Sequence, residues 1–306
     1  MNIQMNFDTY ERILREPYKY NPIEISVGFY GLCSYQYDAW DVVFEQIRKY
    51  YPDAPIVLIN DGFDQFDYSD IATKYNCIHL KKDREICLHY PDIEGSHEFL
   101  HRTKEVCDIL KTEWIIHLHP DVICQGKISY YPPSDLCGVA AGSTSGVSGN
   151  RWNTPEWQLV TNYIKKYGVN PNVELNGFGW CGGSIMNRQA FYKVYDSLYG
   201  ENSKYSIEHL RSNSFNAVTE HEDTMMSVLF ALNGYVYRIW KDNPEYHRGN
   251  KNGAFLHGYK EHYDFKKQGI SLSDYFSRVR YQNISKREKM GLLNNQDYTI
   301  NNQKNI

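Results

Sequence analysis

Between residues 25 and 118 the chain alternates short apolar runs with stretches whose apolar positions recur every three to four residues. Ile25–Tyr30, Ile56–Ile59, Cys77–Leu80 and Trp114–Leu118 read as buried strands. Gln36–Tyr51 carries apolar residues at 40, 43, 44, 47 and 51, the stripe of a helix that buries one face. Tyr68–Tyr75 suits a short helix, and Glu98–Leu110 a longer one whose stripe Thr103 interrupts. Strand and helix in alternation predict an α/β fold with a mostly parallel sheet and right-handed crossovers. The second half is less regular. Residues 140–153 are small and polar, a loop, and Pro155–Tyr167 is helical by pattern. A strand at Ser184–Met186, helices at Arg188–Leu198 and Asp223–Leu232, and a strand at Tyr235–Trp240 follow. From about Leu293 the chain becomes rich in Asn and Gln, as fraying tails do.

The 306 residues are 42% hydrophobic, enough for one large core or two small ones. A net charge of −4 with mixed signs gives no basic stripe for nucleic acid and no patch for an anionic membrane. The seven cysteines lack any Cys-x-x-Cys pair, and Cys77, Cys107, Cys124 and Cys137 sit in apolar runs, as structural thiols of a reducing compartment do. Met1–Asn21 has no apolar core of signal-peptide type, and no segment reaches the roughly 18 apolar residues of a spanning helix. A soluble, cytoplasmic protein is expected. The 27 tyrosines fit a carbohydrate or nucleotide surface, or simple compositional bias.

Chemistry gathers at strand ends. The run Trp114-Ile-Ile-His-Leu-His-Pro-Asp121 closes in three metal-competent groups, His117, His119 and Asp121. Alternation along a strand puts all three on one face, and His117, deeper in the strand, suits the core better than a metal. Tyr30 and Asn60-Asp61 follow the first two strands, an aromatic ring and a carboxylate for a nucleoside, although Asn60-Asp61-Gly62 also reads as a plain turn. Glu222 and Asp223 open a helix; they serve as caps favoured by its dipole or as a general base for a hydroxyl. Asn176-Gly-Phe-Gly-Trp180-Cys-Gly182-Gly183 lets backbone approach a ligand, with Trp180 free to stack on a sugar.

The order of these residues resembles the GT-A glycosyltransferases, most of all their large inverting group, across residues 23–262. Val27-Gly-Phe-Tyr30 stands at that group's first-strand motif, and Leu58-Ile-Asn60-Asp61-Gly-Phe-Asp64 is similar to its Asp-Asp-Gly-Ser-x-Asp. His119-Pro-Asp121 falls at the Asp-x-Asp metal motif, Gly182-Gly183 at the glycine pair between donor sugar and acceptor, and His221-Glu-Asp223 at the x-Glu-Asp base motif. The resemblance implies donor contacts from Tyr30, Asn60, Asp61, Arg102, Asp121, Gly182, Gly183 and Lys260; Trp180, read from its own loop, is the candidate for the acceptor. It implies a metal held by Asp121, His119 and His257 (or His247), and Asp223 or Glu222 as base. The imidazole of His119 where the motif has a carboxylate favours Mn²⁺ over Mg²⁺ and leaves metal independence open.

The expected reaction is hexosyl or pentosyl transfer from a UDP- or GDP-sugar to a glycan or other hydroxyl acceptor, metal-assisted and inverting. Expected boundaries are an N-terminal extension over 1–22, a nucleotide half near 23–125, an irregular acceptor half near 126–262, and a C-terminal helix with polar tail over 263–306. One alternative is a metallohydrolase on His117, His119 and Asp121, whose signature would need a histidine where Val122 stands. The other is a non-catalytic carbohydrate-binding protein, which has no use for the Glu222-Asp223 pair.

Overall fold

A computed structural model describes residues 26–33, 37–62, 67–84, 86, 93–129, 131, 139–141, 182–208, 222–235, 237–239 and 254–256. All of them lie in one compact unit, Met1–Tyr259; Lys260–Ile306 lie outside the described residues.

The alternation seen in the sequence becomes β1 (Val27–Cys33), α1 (Tyr37–Tyr50), β2 (Ile56–Asp61), α2 (Ser69–Lys74), β3 (Ile78–Lys82), α3 (Ile93–Leu110) and β4 (Trp114–Leu118). There follow β5 (Ile123–Cys124), β6 (Val139–Ala141), β7 (Ile185–Asn187), α4 (Arg188–Tyr199), α5 (Glu222–Leu232), β8 (Tyr237–Ile239) and β9 (Phe255–Leu256). Among the described residues one seven-stranded sheet has the order β3-β2-β1-β4-β7-β6-β8, and β5 pairs with β9 separately. The strands β3, β2, β1 and β4 are parallel neighbours, and β7 runs against both β4 and β6.

Every residue of β1, β2 and β4 is buried, as it must be in a sheet covered on both faces. Alternate residues split between two cores. Phe29, Cys33, Ile56, Leu58, Trp114 and Ile116 pack against Trp40, Val43, Phe44 and Ile47 of α1 and Ile71 of α2. Tyr30, Leu32, Val57, Ile59 and Ile115 pack on the other face against α3, α4 and α5. Gly31 leaves room for Trp40: a Cβ there would lie 2.5 Å from its Cζ3.

Local details explain where the pattern was hard to read. Thr103 breaks the apolar stripe of α3 yet is buried, because its hydroxyl donates to the Phe99 carbonyl one turn back (2.9 Å). The helix starts at Ile93, five residues before the expected Glu98. Asn187 ends β7 and caps α4 at once, its side chain accepting from the Ala190 amide at 3.0 Å. Arg48, near the end of α1, donates to five carbonyls: Nε to Tyr75 (2.7 Å), Nη1 to Tyr51 (3.2 Å), Pro52 (3.0 Å) and Ala54 (2.7 Å), and Nη2 to Asn76 (2.9 Å). Its guanidinium thereby closes the carboxyl ends of α1 and α2.

On the outer side, α3 and α4 meet through rings and charges. His101 Nδ1 lies 2.8 Å from the Tyr195 hydroxyl, and His97 lies 2.6 Å from the Tyr199 hydroxyl and 2.9 Å from Glu208. Burial holds the His101 imidazole below its usual range, with nearby His97 adding to the effect against Glu98. Cys33, Cys77, Cys107 and Cys124 are free thiols. Burial pushes Cys77 and Cys124 up to about 12 each, and Cys107 is raised as well. Residues 155–167, expected to be helical, lie outside the described residues.

Candidate active site at the carboxyl edge of the sheet

The helices α1 and α2 cover one face and α3 the other, because the chain passes from β3 over β1 to reach β4. Strand order therefore reverses between β1 and β4. In open α/β sheets ligands enter the crevice beyond the carboxyl ends of the strands at such a switch point. Three groups of residues named from the sequence meet along this edge.

The first is the turn that ends β4. The Val122 amide donates to the His119 carbonyl at 3.1 Å, closing a tight turn with Pro120 and Asp121 at its centre. Asp121 is 6% exposed and His119 intermediate. Below them the His117 ring stands edge-on to that of His119, with centroids 4.6 Å apart, and stacks on Tyr30 at 4.7 Å.

The second is the glycine pair. The Gly183 amide donates to the His117 carbonyl at 2.6 Å, and the His117 amide to Ser184 at 3.0 Å. Gly183 has φ +79°, a conformation that favours glycine, so the pair crosses the edge with its backbone beside the turn. Because β7 runs opposite to β4, the residues preceding β7 arrive at the edge where β4 ends.

The third is a buried ion pair. Arg102 Nη1 binds Asp61 Oδ1; Arg102 Nε donates to Glu98 at 2.7 Å and Nη2 to the Arg84 carbonyl at 2.6 Å. Asp61 Oδ2 accepts from the Ile86 amide at 3.1 Å. Asp61 is 0% and Arg102 2% exposed, so removing one partner would leave a buried charge, at a cost on the order of 3–5 kcal/mol.

Several expectations change place. Tyr30 was expected where the first strand ends; β1 instead continues through Gly31, Leu32 and Cys33, paired with Leu58, Ile59 and Asn60. Tyr30 thus lies inside the sheet, 1% exposed, as a support for His117 rather than a platform open to a base. Asn60 and Asp61 belong to β2 rather than to a turn, which Gly62 begins with φ +70°. His117 is a core residue, as its depth in the strand suggested.

Among the described residues no group of three His, Cys, Asp or Glu side chains is arranged to hold a metal. His117, His119 and Asp121 therefore do not form the joint ligand set that the metallohydrolase alternative requires, because His117 is buried in the core against Tyr30. His119 and Asp121 flank Pro120 in one turn. The third expected ligand, His257, lies outside the described residues, as do Trp180, His247 and Lys260. Leu256 pairs with Ile123, two residues beyond Asp121. Glu222 and Asp223 open α5, but their side chains are outside the described set. Arg84, Ile86 and Glu98 were missed in the sequence. Only Glu98 left a signal there, its i,i+4 spacing to Arg102.

No family model and no curated protein matches the chain. Solved structures do. A galactosyltransferase, LgtC, in complex with donor and acceptor sugar analogues is 11% identical, with 82% of this chain and 94% of that chain covered and a TM-score of 0.51. The fold is that of the GT-A glycosyltransferases. An active-site mutant of LgtC gives 12% identity, 83% and 95% coverage and a TM-score of 0.50. A core-mannan synthase from Aspergillus fumigatus, in a Mn/GDP form, is further away, with 11% identity, 72% of each chain covered and a TM-score of 0.40. The likeness to LgtC in fold thus extends over most of both chains.

Proposed function

We propose that this protein is a glycosyltransferase that moves a sugar from a nucleoside diphosphate to an acceptor hydroxyl. The observation that carries the reading is the His119-Pro120-Asp121 turn at the β1/β4 switch point, with the Gly182-Gly183 backbone hydrogen-bonded to the same strand end. A GT-A fold alone would be analogy; a carboxylate and an imidazole presented beside a glycine backbone give it chemistry.

In this reading Asp121 and His119, with His257, hold a divalent ion, Mn²⁺ before Mg²⁺. That ion would supply charge stabilisation for the leaving diphosphate. UDP and GDP are the expected donors' nucleotides, since a diphosphate leaving group is what such an ion would stabilise. Lys260 adds positive charge on the phosphate side. Gly182 and Gly183 let the donor sugar approach backbone, and Trp180 stacks on the acceptor. Asp223 or Glu222 takes the acceptor proton as that oxygen bonds to the anomeric carbon and the bond to the diphosphate breaks on the opposite side, a single displacement that inverts configuration. Retention in the product would instead make the pair an acceptor-binding group, and proton NMR of the product anomer separates the two.

No helix among the described residues is long and apolar enough to cross a membrane. Cytoplasmic placement belongs to the same reading, supported by the free thiols.

The first test is thermal stabilisation by UDP, GDP, CDP and ADP, with and without Mn²⁺, beside an Asp121→Asn variant. A ligand at roughly 100 times its Kd adds about 2.7 kcal/mol. Metal-dependent stabilisation by one nucleoside diphosphate, lost in the variant, supports the reading. Indifference to all four sinks it.

A further inference from the structure

The resemblance assigns Asp61 and Arg102 to direct contact with the donor; their surroundings point to a different task. We propose that they form a positioning pair, which holds the segment between β3 and α3 at Arg84–Ile86 as the wall of the nucleoside end of the crevice without touching the base. The proposal rests on the glycosyltransferase reading above and refines the roles within that site.

Four bonds of the pair are made to protein groups. The Arg102 fork reaches three ways, to Asp61, to Glu98 and to the Arg84 carbonyl. The second carboxylate oxygen of Asp61 is taken by the Ile86 amide. Side-chain exposures of 2% and 0% leave no face of either group open to a ligand. The Ile86 side chain is itself fully buried, in the core that holds Phe99 and Tyr30. Two backbone groups and one apolar anchor thus tie the segment to the end of β2 and the middle of α3.

The place matters as much as the bonds. Asp61 is the last residue of β2, and Asn60 beside it is in register with Cys33, the last residue of β1. The tied segment therefore stands one strand away from the switch point. Asp61 is fully buried with both oxygens bonded to protein, so in this proposal the base is accepted through the shape of the wall. The planar fork of arginine serves three directions at once; a lysine ammonium reaches one or two without that geometry.

The test uses the whole protein, with Asp61→Asn and Arg102→Lys beside Val43→Ala, a core truncation on the opposite face of the sheet. Amide exchange is followed over a peptide covering residues 82–86 without ligand. The Kd of the nucleoside diphosphate that the wild type binds, and kcat and KM for its sugar donor, are then measured. We expect faster exchange at 82–86 and a roughly ten-fold weaker Kd, about 1.4 kcal/mol, in both pair variants. KM should rise with kcat held within about two-fold, and Val43→Ala should behave as wild type in all of these. If Asp61→Asn does not fold, Arg102→Lys, which keeps the charge, carries the test. Unchanged exchange at 82–86 overturns the proposal, and so does faster exchange with unaltered Kd and KM. A wild type that binds no nucleoside diphosphate is a distinct result, which removes the functional reading itself.

Discussion

Arg48 is the side chain on which the carboxyl ends of α1 and α2 both depend, and Arg48→Met measures how much. The substitution keeps the aliphatic stem and deletes the five donated bonds. Nη1 has two hydrogens for three carbonyls, so one of its bonds is shared, and the 3.2 Å contact to Tyr51 is the weakest. The bonds to Pro52 and Asn76 lie at exposed positions, where water can replace the guanidinium. That leaves Tyr75 and Ala54, both at 2.7 Å and part-buried, and a fraction of Tyr51. Bonds to charged donors are worth about 1.5–3 kcal/mol each. Desolvation, which also lowers the Arg48 pKa, takes back part of this. A loss of about 2–4 kcal/mol follows for Arg48→Met, and Arg48→Lys should recover a minor part through its charge at the helix ends. Urea unfolding followed by far-UV circular dichroism gives both values from the midpoint at constant m. A loss below about 1 kcal/mol for the methionine variant, or a lysine variant as stable as wild type, would refute the accounting.

Other outcomes can be checked as directly. In native protein at pH 7.5, Cys33, Cys77, Cys107 and Cys124 should resist iodoacetamide and become labelled only on unfolding, as peptide mass mapping would read. Gly31→Ala would set a Cβ 2.5 Å from Cζ3 and 2.7 Å from Cη2 of Trp40, and should cost about 1–3 kcal/mol. Adding Trp40→Phe should return part of that loss; strict additivity of the two would argue against the clash. Because the folded-state pKa of His101 is lowered, the unfolded chain takes up the proton first as pH falls. Its contribution is full above the ordinary histidine range and lost as pH drops through the lowered value. Stability should therefore decline from about pH 7.5 to 5.5, less steeply in His101→Gln, and equal slopes would exclude this histidine.

Much of the nucleotide half was legible because its signals are local. An apolar run of four or five residues, flanked by helical stripes, leaves little choice but a covered parallel strand. What failed was depth and direction. Gly31 reads as the end of a strand, since glycine commonly breaks one, yet here it only makes room for Trp40 and lets β1 continue to Cys33. The mistake placed Tyr30 at the crevice when it supports His117. The reversed direction of β7 and the ladder of Ile123–Cys124 with Phe255–Leu256 depend on contacts between distant segments, which no window of sequence carries. Asp61 and Arg102 were each singled out, but nothing in their spacing says that they bind each other.

The antiparallel entry of β7 also bears on the order in which this protein can fold. The strands β1, β2 and β3 follow one another and need only short crossovers to pair. The hydrogen bonds between His117 and Gly183-Ser184 must wait for a far longer loop to close, the kind of contact that slows folding most. A chain emerging from its amino terminus can thus complete three strands and both helices of one face early. The edge where the His119-Pro120-Asp121 turn meets the glycine pair is assembled after them, so chemical competence arrives later than the first core of the sheet.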